Sequence, residues 1–219
     1  MQNKIAEKHK TKLPKKAKSK MTAPQNLWYN ANTKTKRGKA MILLITGASH
    51  TGKTVLAQNL LEQTRIPYLS IDHLKMGLIR SGSTKLTPAD DDALTDYLWP
   101  IVRELIKTAI ENRQNLIVEG CYVPYPWRND FDERYLPEIR FLCLAMTDAY
   151  IDAHFDRIAA HANAVEARLD DSHCTREWLK AENRKVLNGF TAAGEPIVLI
   201  DTDWEAAVSA VLRDLCRSA

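Results

Sequence analysis

Gly47-Ala48-Ser49-His50-Thr51-Gly52-Lys53-Thr54 fits the pattern GxxxxGK[ST] at every fixed position. Glycines at Gly47 and Gly52 let the backbone curl until successive amides point inward at phosphate oxygens, and a helix opening at the loop adds the favourable end of its dipole. Lys53 then reaches the β- and γ-phosphates of a nucleoside triphosphate, and the Thr54 hydroxyl becomes a ligand for Mg2+. Ala48, Ser49, His50, Thr51 and Val55 complete the candidate nucleotide-binding stretch. His50 occupies a free position of the pattern.

Two acids stand at the ends of later apolar runs, where open parallel sheets place their ligands. Asp72 follows YLSI and is read as the group that accepts a proton from an acceptor hydroxyl or positions it through the metal; the same carboxylate could instead cap a helix beginning at His73. Glu119 closes LIVE, which resembles a Walker B strand, and is expected to serve the metal shell or the acceptor, with Gly120 permitting close approach of a substrate. The loop after it, CYVPYPWRND, reads as an acceptor wall whose sole cation is Arg128. Phosphoryl transfer also needs cations around its spread charge. Arg157 is the first choice, with Arg168, Arg176 and Arg184 behind it, and Arg80 is a candidate contact for an anionic acceptor.

The elements that must hold these residues begin at Met41. Short β-branched runs alternate with helical patterns from there on, which predicts an α/β domain on a parallel sheet. Five strands are expected, at Met41–Thr46, Tyr68–Ile71, Asn115–Glu119, Ile139–Ala145 and Pro196–Ile200. Thr87-Pro88-Ala89-Asp90 reads as a helix start with Thr87 as cap, and Thr147-Asp148 and Thr202-Asp203 repeat the signal. Leu94, Leu98, Ile101, Leu105 and Ala109 keep a helical period, within which Pro100 should kink or end the helix. Around residues 158–176 the periodicity fails and the chain turns polar, the place for a small mobile lid.

Charge divides the chain. Of 31 basic and 27 acidic residues, residues 1–40 hold twelve and one (Glu7), leaving 19 and 26 for the rest. Residues 1–40 are read as a disordered basic tail and 41–219 as one mildly acidic kinase-sized domain. Nucleic acid could bind only through that tail; Met21 and Met41 are both candidate starts. The tail lacks the apolar segment of a secretory signal, and no apolar run is long enough to span a membrane. Cys121, Cys143, Cys174 and Cys216 form no CxxC pair, so a zinc site is not indicated and a reducing cytoplasm fits.

The phosphate loop alone does not separate nucleotide enzymes from one another. There is no NKxD and no LSGGQ-like stretch, and too little chain follows for an accessory ATPase domain. With GASHTGKT, an Asp after the second strand and VEG closing the third, residues 41 to about 205 resemble the adenylate-kinase-like superfamily of short P-loop kinases. The narrower likeness is to proteins labelled 2-phosphoglycerate kinase, through IVEGCYVP and FLCLAMTDAYIDAHFDR, with Tyr122 where that group would show His. The core is also similar to zeta-toxin and chloramphenicol phosphotransferase kinases. The resemblance implies a three-layer P-loop fold with a five-stranded parallel sheet and a helical lid. It further implies ATP with Mg2+, a small-molecule acceptor, and roles for Lys53, Thr54, Asp72, Glu119 and Arg157 in phosphate, metal, acceptor and lid contacts. The competing expectation is a nucleotide-dependent regulatory ATPase that uses the basic tail on nucleic acid; a polynucleotide 5′-hydroxyl kinase would use both features.

Overall fold

Ile42–Gly47 (β1) is apolar without alternation and buried at all six residues, as a parallel strand covered on both faces must be. Its neighbours follow the same logic: Tyr68–Ser70 (β2), Leu116–Glu119 (β3), Ile139–Met146 (β4) and Ile197–Ile200 (β5) form one sheet in the order β2-β3-β1-β4-β5. Every pairing is parallel. The computed structural model describes residues 40–161 and 174–209. The basic tail, apart from Ala40, and most of the expected lid, with Arg168, lie outside the described residues.

Between the strands run Lys53–Thr64 (α1), Ile71–Arg80 (α2), Asp91–Glu111 (α3), Asp148–Ala160 (α4) and Arg176–Ala192 (α5). Successive residues of β1 enter opposite cores, which makes the three layers. Ile42 and Leu44 pack with Leu98, Val102, Trp127 and Phe190 on one face. Leu43 and Ile45 pack with Leu56, Leu60, Tyr150 and Ile151 on the other.

The strand positions agree with the sequence reading to within a residue or so, but three helical expectations are corrected. Asp90, not Thr87, precedes the third helix: its Oδ2 accepts from the Thr87 amide at 2.7 Å and from the Thr87 hydroxyl at 2.8 Å, so those residues close a turn and the helix starts at Asp91. Pro100 does not end α3, which overturns the ending but not the kink that the sequence reading offers as its alternative. Pro100 and Asp96, whose carbonyl would have taken the missing amide, are both exposed residues, so the missing bond falls on the solvent side of the helix. The buried face of that helix is Leu94, Leu98, Val102, Ile106 and Ala109, while Leu105 is 40% exposed. Among the described residues no helix is long and apolar enough to cross a membrane.

Candidate active site

The phosphate loop is braced from several directions. The Ala48 amide donates to the Leu144 carbonyl on β4 at 3.1 Å, and the Thr51 hydroxyl to the Ala48 carbonyl at 2.8 Å. Lys53 Nζ donates to the same carbonyl at 2.7 Å, so the ammonium is held across the loop at the start of α1. Gly52 caps that helix in the left-handed region (φ 82°), with the Trp204 indole against it: a Cβ there would lie 2.7 Å from Trp204 Nε1. That nitrogen donates to the Thr51 carbonyl at 2.8 Å. His50 also has positive φ (65°), and its ring meets Trp178 edge to face at 6.2 Å.

A cavity of about 320 Å³ opens beside the loop, bounded by residues 50–55 and by Tyr150, Arg157, His161 and Trp204. Arg157, the cation that the sequence reading puts first, is one of the lining residues. Trp204 and Tyr150 line the cavity as well, beyond the residues that the sequence predicts. Nothing local marks Trp204 for the loop, because 153 residues separate it from Thr51.

Thr54 also leads to the two carboxylates at the ends of β3 and β2. Thr54 Oγ1 donates to Glu119 Oε2 at 3.3 Å, and Glu119 is 1% exposed. Glu119 pairs in register with Ser70, which brings the start of α2 beside it. Ser70 is the cap of that helix, accepting from the His73 amide, so Asp72 sits in the first turn and is not the cap. Asp72 Oδ1 accepts from Lys75 Nζ at 2.5 Å, and Lys75 also donates to the Tyr122 hydroxyl at 2.8 Å. The Tyr122 hydroxyl donates in turn to Asp91 Oδ1 at 3.2 Å. Burial first, and then the negative charges of Asp72 and Asp91, push the Tyr122 phenol far above its ordinary range, so it stays protonated. Gly120 (φ 155°) lets the chain turn against α2: a Cβ would lie 2.8 Å from Ile71 Cβ.

The residues present fit magnesium and a triphosphate. A threonine hydroxyl touching a buried carboxylate, beside a lysine, is the hard-oxygen pair that Mg2+ takes together with water and phosphate oxygens. Among the described residues no cluster of three or more His, Cys, Asp or Glu forms a metal site, and a metal shared with phosphate needs none.

Other candidates are placed elsewhere. The expected acceptor wall runs back toward the amino ends of the strands, where Trp127 stacks on Phe141. There Arg128 forms a two-pronged ion pair with Glu195, at 2.5 and 3.0 Å, two residues before β5 begins. The reading of Arg128 as an acceptor contact is therefore corrected: the buried Glu195 carboxylate claims its guanidinium. Arg80 is exposed at the last residue of α2, roughly 12 Å of helix beyond Asp72. Arg184 is paired with Asp148, and Arg176 lies 4.0 Å from Asp152.

No family model matches the chain, and no curated protein matches it. Solved structures do resemble it. A gluconokinase from Sinorhizobium meliloti is 16% identical over 84% of this chain and 95% of its own, with a TM-score of 0.49. A shikimate kinase from Bacteroides thetaiotaomicron is 13% identical, covering 80% and 98%, with a TM-score of 0.49. Another, from Aquifex aeolicus, is 15% identical, covering 80% and 96%, with a TM-score of 0.44. None of the three is named a 2-phosphoglycerate kinase. At these identities the acceptors of those enzymes do not transfer to this chain.

Proposed function

We propose that the chain is an ATP-dependent small-molecule kinase that moves the γ-phosphoryl group of MgATP to a hydroxyl or phosphate oxygen of an acceptor. One observation carries the reading. The same loop that borders the 320 Å³ cavity touches, through Thr54, the buried Glu119, whose neighbouring strand leads directly into Asp72. A cavity and two carboxylates near one phosphate loop support the arrangement that an in-line displacement needs.

The nucleotide occupies the cavity with its phosphates along residues 47–54, where loop amides and Lys53 meet their charge. Arg157, at the cavity wall, is the cation available to the transferring group. Bound Mg2+, held through Thr54 and Glu119, supplies neutralisation of the phosphate oxygens. Asp72 orients an acceptor hydroxyl and takes its proton as the new O–P bond forms and the bond to the leaving ADP oxygen breaks.

The test is magnesium-dependent ATP turnover by the full chain across gluconate, shikimate, 2-phosphoglycerate, nucleotides and other hydroxylated metabolites. Acceptor-stimulated turnover should fall at least about 100-fold in Lys53→Ala and in Asp72→Asn. ATP binding with no stimulation by any acceptor, and no effect of Asp72→Asn, would refute the reading.

A further inference from the structure

The Lys75 to Asp72 contact has the spacing of an ordinary surface ion pair on a helix, three residues apart, and such pairs do little. This one is built differently. The Lys75 side chain is only 12% exposed, its ammonium has a second partner 47 residues away in Tyr122, and it lies 4.9 Å from the centre of that ring. The direction of each bond is fixed by chemistry. Tyr122 has one proton, which goes to Asp91, so the phenol oxygen must face the ammonium with a lone pair. A second of the ammonium's three N–H bonds goes to Oδ1 of Asp72, which leaves Oδ2 for whatever Asp72 serves.

We propose that Lys75 and Tyr122 are positioning residues for Asp72: the chain Asp91, Tyr122, Lys75, Asp72 ties three separate elements into one frame that sets the angle of the Asp72 carboxylate. Asp72 and Lys75 are on α2, Asp91 opens α3, and Tyr122 lies three residues after Glu119 on the loop leaving β3. Releasing Asp72 would leave the nearly buried Lys75 side chain with the phenol oxygen alone, which favours a single orientation of the carboxylate. Placing a reacting group within a fraction of an ångström is where a carboxylate of this kind gains most. Neither Lys75 nor Tyr122 need touch the acceptor for this. The inference rests on the kinase reading, in that Asp72 must have an acceptor to orient.

The test uses the full chain and whichever acceptor of the panel is turned over fastest by the wild type. Lys75→Met should lower kcat about 10- to 100-fold, with KM for ATP within about twofold of wild type. Lys75→Arg should recover a large part of that loss, and Tyr122→Phe, which removes one oxygen and keeps the ring, should lower kcat about 3- to 10-fold. Because Lys75 acts through Asp72, Lys75→Met combined with Asp72→Asn should be no slower than Asp72→Asn alone. A double variant slower by the product of the two losses would overturn the inference. So would an unchanged kcat in Lys75→Met and Tyr122→Phe when Asp72→Asn is impaired. If Lys75→Met does not fold, Tyr122→Phe alone and combined with Asp72→Asn decides by the same criteria. An unimpaired Asp72→Asn, or a wild type that no acceptor stimulates, removes the kinase reading itself and this inference with it.

Discussion

Gly120→Ala is the substitution whose cost can be worked most directly from the structure. The residue has φ 155°, and an added Cβ would meet Ile71 Cβ at 2.8 Å and its Cγ1 at 3.1 Å. Cβ of Ile71 is fixed to the backbone of a residue with no exposed surface, so no rotamer change relieves the contact. The backbone conformation costs roughly 1–3 kcal/mol for a residue with a side chain, and the forced displacement in a packed core about as much again. A total of roughly 2–6 kcal/mol lowers the melting temperature by about 4–24 °C in a domain of this size. Thermal unfolding followed by circular dichroism measures it. Gly77→Ala is the control: that glycine lies inside α2 with nothing within 4 Å of its would-be Cβ, so the change should stabilise by about 0.5–1 kcal/mol. Because the clash is with Cβ, Ile71→Val should not rescue Gly120→Ala. A Gly120→Ala protein melting within about 2 °C of wild type would refute the packing described here. Relief by movement of Ile71 also shifts its neighbour Asp72, so acceptor turnover should fall with the stability.

Three further outcomes are expected. Arg128→Ala strands the Glu195 carboxylate, whose side chain is 2% exposed, and should cost about 1–3 kcal/mol in chemical denaturation while leaving KM for every acceptor unchanged; Arg128→Met with Glu195→Gln should recover most of the loss. Trp204→Phe removes the bond to the Thr51 carbonyl, which should raise KM for ATP about 2- to 10-fold with acceptor KM unaffected in steady-state kinetics. Burial pushes the Cys143 thiol up to about 12. The folded chain then keeps a proton that the unfolded chain releases above pH of about 9, so stability falls as pH rises, by up to roughly 1.4 kcal/mol per unit. Urea unfolding at pH 8 to 10.5 should show a shallower fall in Cys143→Ala than in wild type.

The sheet and the phosphate loop were legible in the sequence because both are written locally. An apolar run such as ILLIT or LIVE has to be a strand covered on both faces, and the glycines around Lys53 leave few other conformations. Misjudgements arose where a local signal met a nonlocal one. Pro100 carries the strongest helix-breaking signal in the chain, yet Leu98, Trp99 and Val102 pack into the core around it and the missing bond falls on the solvent side. The sequence reading of Arg128 rests on its being the sole cation of the loop after Glu119, whereas the partner that claims its guanidinium, Glu195, stands 67 residues further on. Lys75 was within reach, since a lysine three residues after Asp72 on a helix lies beside it. Tyr122 and Asp91 were not, because only the packing of α3 against the sheet brings them together.

The indole of Trp204 also orders events in time. Among the described residues Thr51 lies near the start and Trp204 near the end, so the contact that finishes the phosphate loop closes a circuit of 153 residues. Contacts of such separation form late, after the entropy of closing the intervening chain has been met. During synthesis β1 and α1 emerge well before β5 and the helical residues 204–209 that follow it. A nascent chain therefore carries the whole GASHTGKT sequence without its brace, and the loop acquires its final support only once the last strand has docked.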